Sequence, residues 1–198
     1  MRENDEKELT RHDIEQLLQV FGQKFAQRRY PVTVHMLLIG GGYMLTQHDI
    51  QRITRDVDLY PLDRTWPDTV PPFPGHVYEI AQEIAREQGL RHTWLQTLPE
   101  RHVKVTGGVP RGSLWRTFGI VEIYAPPADY ILFLKLRINR PKDRADISYL
   151  FDCLGIQTRE QAQALIDHYM PDQANQAYFD ISTKLHRWFP SSETNLDC

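Results

Sequence analysis

The feature that most limits the fold of this chain is a change of pattern near Ala125. Before it, short apolar or alternating runs typical of strands (32–39, 52–61, 102–106 and 113–124) alternate with helical stretches at 10–29 and about 78–88. After it, every run has helical spacing, at 130–138, 143–154, 158–170 and 175–189. The pattern predicts an α/β (α+β) core over residues 1–125 and a helical C-terminal region over 126–198.

Composition and charge exclude several classes of protein. Of the 198 residues, 41% are hydrophobic and 25% are charged, as in a soluble globular protein, and the net charge of −3 leaves only local sites for a polyanion. The two cysteines, Cys153 and Cys198, are too few for a disulfide framework or a zinc site. The charged N-terminal segment lacks a signal peptide's apolar core, and no run reaches eighteen apolar residues. We therefore expect a cytoplasmic protein with no membrane partner.

Two aspartates form the most suggestive pair of side chains. Asp56 and Asp58 lie two apart on a predicted strand, so both carboxylates project from one face with Cα atoms roughly 7 Å apart. Their repulsion is relieved by a cation, and hard oxygen ligands suit Mg²⁺, as one ion or as two ions about 3.5–4 Å apart. The alternative is a solvated pair at the edge of a sheet.

A glycine run precedes these acids. Gly40, Gly41 and Gly42 follow an apolar strand, and such a turn lets backbone N–H groups and a helix N-terminus approach a phosphate. The alternative is a plain tight turn. A Rossmann fingerprint is excluded because Leu45 stands in place of its third glycine, and the chain contains no Walker A sequence.

These residues resemble a known family. The stretch Leu38–Gly42, thirteen residues, and then Asp56-Val57-Asp58-Leu59 is similar to the signature of the nucleotidyltransferase superfamily. Further on, the stretch Lys135–Ile147 resembles the second conserved block of AbiEii-like nucleotidyltransferase toxins. The resemblance implies a mixed sheet with flanking helices and a Mg²⁺-dependent transfer of a nucleoside monophosphate from a nucleoside triphosphate to an acceptor hydroxyl.

The resemblance also implies roles for individual residues. Catalytic roles fall to four residues: Asp56, Asp58, Glu122 and Lys135. The three acids among them are the expected metal ligands, with Glu122 as the third carboxylate on a later strand. Nucleotide binding falls to Gly40, Gly41, Gly42, Lys135, Arg140 and Asp143. The alternatives are a solvated face for Glu122 and ordinary snorkelling for Lys135, whose ammonium is expected to emerge at the site.

The region around Lys135 is the only dense basic segment in the chain. Its five cations are Lys135, Arg137, Arg140, Lys142 and Arg144. The segment is expected to bind a triphosphate or a nucleic-acid backbone, or to be a solvated face. The nearby acids Asp143 and Asp146 are expected to hold Arg140 or Lys135 in place, or to cap the helix.

The acceptor stays open at the level of sequence. The second block favours RNA as the acceptor and an antitoxin-like protein as a partner, as in the toxins that it resembles. The first block is equally similar to antibiotic adenylyltransferases, which act on small molecules. A third possibility is a nucleotide-binding or regulatory module without turnover. Glu122 separates this possibility from the enzymes, because a site with only two acids can bind a nucleotide yet transfer poorly.

Overall fold

The computed structural model describes residues 7–28, 33–48, 53–62, 73–97 and 108–190. In these ranges the predicted fold class is confirmed, since a five-stranded mixed sheet with flanking helices precedes a helical C-terminal part. The chain divides into two compact units, with unit 1 formed by Met1–Pro99 and Arg111–Pro126 and unit 2 by Glu100–Pro110 and Pro127–Cys198. None of the described helices is long and apolar enough to cross a membrane.

Unit 1 is built on the sheet. Its strands are β1 (Val34–Ile39), β2 (Val57–Pro61), β3 (Leu95–Thr97), β4 (Ser113–Phe118) and β5 (Val121–Ala125). They lie in the order β3-β2-β1-β5-β4. The central strand β1 is antiparallel to β2 and parallel to β5, while β2 is parallel to β3 and β4 is antiparallel to β5. This mixture of directions agrees with the mixed sheet implied by the resemblance.

Three helices belong to unit 1: α1 (Arg11–Gln27), α2 (Gly40–Gln47) and α3 (Phe73–Gln88). Thr10 and Asp13 form the predicted capping box at the start of α1, each side chain accepting a hydrogen bond from the other residue's backbone N–H. Helix α1 contacts β4 and α3, and α2 contacts β1 and β2. Alternate residues of β2, Val57 and Leu59, are fully buried in the core.

One predicted strand is two strands in the structure. The segment 113–124 reverses direction at Gly119 and Ile120, so that Phe118 pairs with Val121 across a two-residue turn. Gly119 has φ +62°, a left-handed conformation that such turns require and glycine adopts readily. The alternation of polar and apolar residues runs through both strands, so the sequence pattern did not indicate the reversal. The predicted strand over 102–106 lies outside the described residues.

Unit 2 is helical throughout its described part. Its helices are α4 (Ala128–Ile138), α5 (Arg144–Leu154), α6 (Arg159–Tyr169), α7 (Gln173–Tyr178) and α8 (Ile181–Trp188), and the 3₁₀ turn Pro141–Asp143 leads into α5. Helix α4 contacts α5, α6 and α8 and is the central helix of the unit. The capping box of Thr158 and Gln161 is confirmed. The prediction of a single helix over 175–189 is wrong. The structure has two helices here, because α7 ends before Asp180, whose φ of +51° lies outside the right-handed helical region.

Candidate functional site

The glycine run and the Asp-x-Asp pair meet at one corner of unit 1. Strand β1 ends at Ile39, α2 begins at Gly40, and Asp58 on β2 is the register partner of Ile39. A Cβ atom built on Gly40 would lie 2.0 Å from Asp58 Oδ2, and Gly40 has φ +66°. The Asp58 carboxylate therefore occupies space that only glycine leaves open, beside the N-terminus of α2. The expected tight turn is the first turn of this helix, whose unpaired N–H groups attract anions.

Asp56 lies on the same side of the sheet, although it precedes β2 by one residue. Gln96 on β3 is the register partner of Asp58, so these two side chains share a face. The Gln96 amide donates to Asp56 Oδ2 at 3.5 Å, which places Asp56 beside them. Thr54 Oγ1 donates to the Asp56 backbone carbonyl at 3.1 Å. Sequence reasoning missed Gln96, because nothing in its local sequence indicates the pairing of β2 with β3.

Glu122 lies elsewhere on the sheet. Its register partner on β1 is His35, whereas the partner of Asp58 is Ile39, four residues further along the same strand. At about 3.3 Å per residue, four residues separate the two positions by roughly 13 Å along β1. Among the described residues, no three His, Cys, Asp or Glu side chains form a group that could hold a metal ion. The expectation that Asp56, Asp58 and Glu122 form one metal centre is thereby corrected.

Glu122 belongs instead to a polar network of its own. The Tyr124 hydroxyl donates to Glu122 Oε2 at 2.7 Å, and His35 Nε2 lies 3.3 Å from the same oxygen. Arg111 in turn donates to the Tyr124 hydroxyl at 2.7 Å. The hydrogen bond to Glu122 raises the pKa of Tyr124, because ionisation of the phenol would lose it beside a carboxylate. Glu122 is thus half-buried and bonded, which also differs from the solvated alternative.

In unit 2, Lys135 lies in a buried cluster of charges. Its side chain is 5% exposed, and its ammonium donates to Asp143 Oδ1 at 2.9 Å and to Asp146 Oδ2 at 2.6 Å. Arg140 Nε donates to the other oxygen of Asp143 at 2.7 Å. The expectation that these acids hold Lys135 and Arg140 is confirmed. The expectation was that the Lys135 ammonium emerges at the site to meet phosphate, but in the structure two buried carboxylates hold it inside.

The two cations of this cluster affect the pKa of the Asp143 carboxyl. Burial alone raises the pKa of its carboxyl, but the hydrogen bond from Arg140 and the charge and hydrogen bond of Lys135 outweigh burial and lower the pKa below its usual value. Asp143 therefore stays ionised although it is 1% exposed. A carboxylate held in this way fixes the positions of two cations at once.

The basic segment is not a single surface. Lys135 and Arg137 are buried, and Arg140 is bound in its ion pair. The Arg137 guanidinium lies 5.7 and 5.2 Å from the centres of two phenylalanine rings. Only Lys142 and Arg144 of the five are exposed without an ion pair to a described carboxylate. Of the segment expected to bind a triphosphate or a nucleic-acid backbone, or to be a solvated face, only these two cations are therefore exposed and available to an anion.

Comparison of the chain with protein-family models, with curated proteins and with solved structures gave no match. The resemblance to nucleotidyltransferases accordingly rests on the residues themselves. What carries it in unit 1 is the corner that contains Gly40, Asp56 and Asp58. In unit 2, it is the segment that begins at Lys135.

Proposed function

We propose that this chain binds a nucleoside triphosphate with Mg²⁺ and transfers the nucleoside monophosphate to an acceptor hydroxyl. The hydroxyl oxygen bonds to the α-phosphorus as the bond between the α- and β-phosphates breaks, and pyrophosphate and the hydroxyl proton are released. The supporting observation is the Asp58 carboxylate beside Gly40, at the start of α2. A helix N-terminus attracts phosphate through its N–H groups and dipole. A carboxylate next to it attracts a divalent cation, and a nucleoside triphosphate is a ligand that brings phosphate and cation together.

The residues at the corner fit one Mg²⁺ ion. Magnesium at nucleotide sites is held by one or two carboxylates, with substrate phosphates and waters completing the shell. Asp56 and Asp58 supply two carboxylates on one side of the sheet, while Glu122 belongs to a different network. When bound, the ion would neutralise charge on the reacting phosphate. The protein's own contribution is to hold Asp58 on β2 and Asp56 immediately before it, and to present the N–H groups of α2.

RNA is the acceptor that we favour, because the block from Lys135 onward resembles the AbiEii-like toxins and has no counterpart in antibiotic adenylyltransferases. The same resemblance supports an antitoxin-like protein as a partner. A small-molecule acceptor is the alternative that the experiment below separates from RNA.

The test is to incubate the protein with each α-labelled nucleoside triphosphate and Mg²⁺, and to offer tRNA, protein and an aminoglycoside in separate reactions. Label in the RNA fraction alone supports RNA transfer, and label on the aminoglycoside alone rejects it. We expect Asp58→Asn and Asp56→Asn to lower the rate roughly 100-fold or more, since a metal's stabilisation of the transition state is several kcal/mol. The control is Asp152→Asn, which makes the same chemical change at an exposed residue of α5.

Asp58→Asn turning over at the wild-type rate would remove the corner from the mechanism. Metal affinity gives a second measurement that does not depend on turnover. Titration with Mn²⁺ in the presence of a nonhydrolysable nucleotide should show binding to the wild type and to Asp152→Asn, but weaker binding to Asp58→Asn.

A nucleotide-binding module without turnover is the second candidate, and the position of Glu122 favours it. With Glu122 bonded to Tyr124 and near His35, the described residues place two acids at the corner, without the third that activates the acceptor hydroxyl in the resembling superfamily. Nucleotide binding by calorimetry with no label transfer to any acceptor supports this candidate. If the corner does transfer, Glu122→Gln should change the rate less than tenfold.

A further inference from the structure

A small cavity of unit 2 lies where the segment after α4 faces the end of α8. It has a volume of about 150 Å³ and is lined by Asn139, Pro141, Arg144, Arg187 and Trp188. Pockets for drug-sized ligands measure roughly 300–1,000 Å³, so this cavity fits a group of a few atoms rather than a whole nucleotide. A phosphate group is small enough to fit in this cavity.

The charges around the cavity favour an anion. Arg144 is the first residue of α5, Arg187 lies in the last turn of α8, and both are exposed. No carboxylate is among the lining residues, and neither guanidinium forms an ion pair with a carboxylate in the described part of the chain. Two like charges beside one cavity repel each other, and an anion between them removes that cost. The planar guanidinium fork matches the geometry of phosphate oxygens.

Another cation, Lys184, lies on the same helix as Arg187. Lys184, one turn before Arg187 on α8, has a pKa lowered chiefly by burial and further by the charges of Arg137 and Arg187, against the opposing effect of Asp180. Its ammonium donates to the backbone carbonyl of Arg137. The last two turns of α8 thus carry two cations, Lys184 and Arg187, whose mutual repulsion an anionic ligand would reduce.

Trp188 adds an aromatic surface at the same place. Its indole N–H donates to Asn139 Oδ1 at 3.3 Å, and its ring packs edge-on against Phe151 with centroids 5.5 Å apart. These contacts fix the ring, which is half-buried and lines the cavity. An aromatic ring next to phosphate-binding cations is the combination with which proteins bind single-stranded nucleic acid, because every base can stack on it.

We propose that this cavity binds one phosphate of a single-stranded RNA, with Arg144 and Arg187 on the phosphate and Trp188 against the adjacent base. The cavity is too small for the base itself, which leaves the ring of Trp188 as the surface for it. The choice of RNA rests on the proposed function, whereas the site itself rests on residues of unit 2 and its readout is binding and not transfer. A protein inactive in transfer can still bind RNA here.

The experiment measures binding of a fluorescein-labelled ten-nucleotide single-stranded RNA to the full-length chain by anisotropy, at several salt concentrations. We expect the double variant Arg144→Gln/Arg187→Gln to bind at least roughly tenfold more weakly, because it loses the charge-assisted hydrogen bonds of both guanidinium groups to the phosphate. The plot of log K against log salt has a negative slope, and the magnitude of this slope should decrease by roughly 0.7 for each phosphate that the variant no longer neutralises. Arg159→Gln removes one positive charge from α6 at a residue outside the cavity and is the matched control for the single variants Arg144→Gln and Arg187→Gln, each of which should bind more weakly than this control.

Further variants and competitors make the result decisive. Trp188→Phe keeps an aromatic ring and should retain most of the affinity, whereas Trp188→Leu should bind severalfold more weakly than Trp188→Phe. An unlabelled oligonucleotide should compete, and inorganic phosphate at matched ionic strength should not. The proposal is overturned if the double variant binds RNA as tightly as Arg159→Gln does, or if inorganic phosphate displaces RNA as well as the oligonucleotide does. Asp58→Asn should bind RNA normally, which separates this test from that of transfer.

Discussion

Gly40→Ala is the substitution that tests the geometry of the corner most directly. It places a methyl group 2.0 Å from Asp58 Oδ2 on a backbone with φ +66°. Gly89, at the end of α3, has φ +64° and nothing within 4 Å of the corresponding position. Gly89→Ala therefore imposes the same backbone strain without the collision, and the difference between the two variants isolates the displacement of Asp58.

The expected losses of stability follow from the backbone strain and from the displacement of the Asp58 carboxylate. An L-residue in the left-handed region costs about 1–2 kcal/mol, and we expect Gly89→Ala to lower the free energy of unfolding by about that much. Gly40→Ala carries the same cost and also displaces a carboxylate from a helix N-terminus, an interaction of about 0.3–2 kcal/mol. We therefore expect a total of about 1.3–4 kcal/mol for Gly40→Ala. Removing the carboxylate first, with Asp58→Ala, should reduce the effect of Gly40→Ala to that of Gly89→Ala.

The assay is a double-mutant cycle measured by urea unfolding, with hydrogen exchange of α2 and β2 amides as a local measure for unit 1. The coupling between Gly40→Ala and Asp58→Ala should be about 1–2 kcal/mol. If Gly40→Ala costs no more than Gly89→Ala, or if Asp58→Ala does not relieve it, the carboxylate is not where we place it. The proposal of a metal beside the α2 N-terminus would then lose its geometric basis.

Three further predictions concern the other charge networks. Lys135→Met leaves two buried carboxylates without their ammonium and should destabilise unit 2 by about 3–5 kcal/mol in urea unfolding. Arg140→Gln changes an exposed partner of the same cluster and should lower the free energy of unfolding by less than about 1 kcal/mol. Equal effects of the two substitutions would contradict the buried cluster. Asp143 has a lowered pKa, so its contribution to the free energy of unfolding is complete above its ordinary pKa of 3.8 and is lost as the pH falls through the lower pKa of the folded state. In Asp143→Asn, the urea midpoint should therefore depend less on pH across this acid range. Glu122→Gln should lower the pKa of Tyr124 toward 10.0, and an unchanged tyrosine titration by ultraviolet absorbance would argue against the hydrogen bond between them.

Local signals predicted the helices well. The capping boxes at Thr10 and Thr158 lie within four residues of chain, so the sequence specifies them without reference to the rest of the fold. The start of α4 after Pro127 and the end of α5 at Gly155 are equally local. The errors came where one pattern runs through a break, as at Gly119.

The two halves of the candidate site differed in how far they could be predicted. Asp58 and Gly40 are joined by one short helix and adjacent strands, so their meeting follows from the order of nearby elements. The position of Glu122 depends on the register of β5 against β1, which are separated by most of unit 1. A strand read in isolation carries no information on that register, and a shift of four residues moves a side chain by roughly 13 Å.

By itself the sequence determined the change from α/β to helical structure, the caps of the helices and the presence of two acids after a glycine run, because each depends on neighbouring residues. Tertiary structure alone decided that Asp58 fills the space left by Gly40, that Glu122 is apart from it, that Lys135 is buried, and that Arg144 and Arg187 line one cavity. These are contacts between residues distant in the chain. Strand register and helix packing bring such residues together, and both are set by burial of the core as a whole.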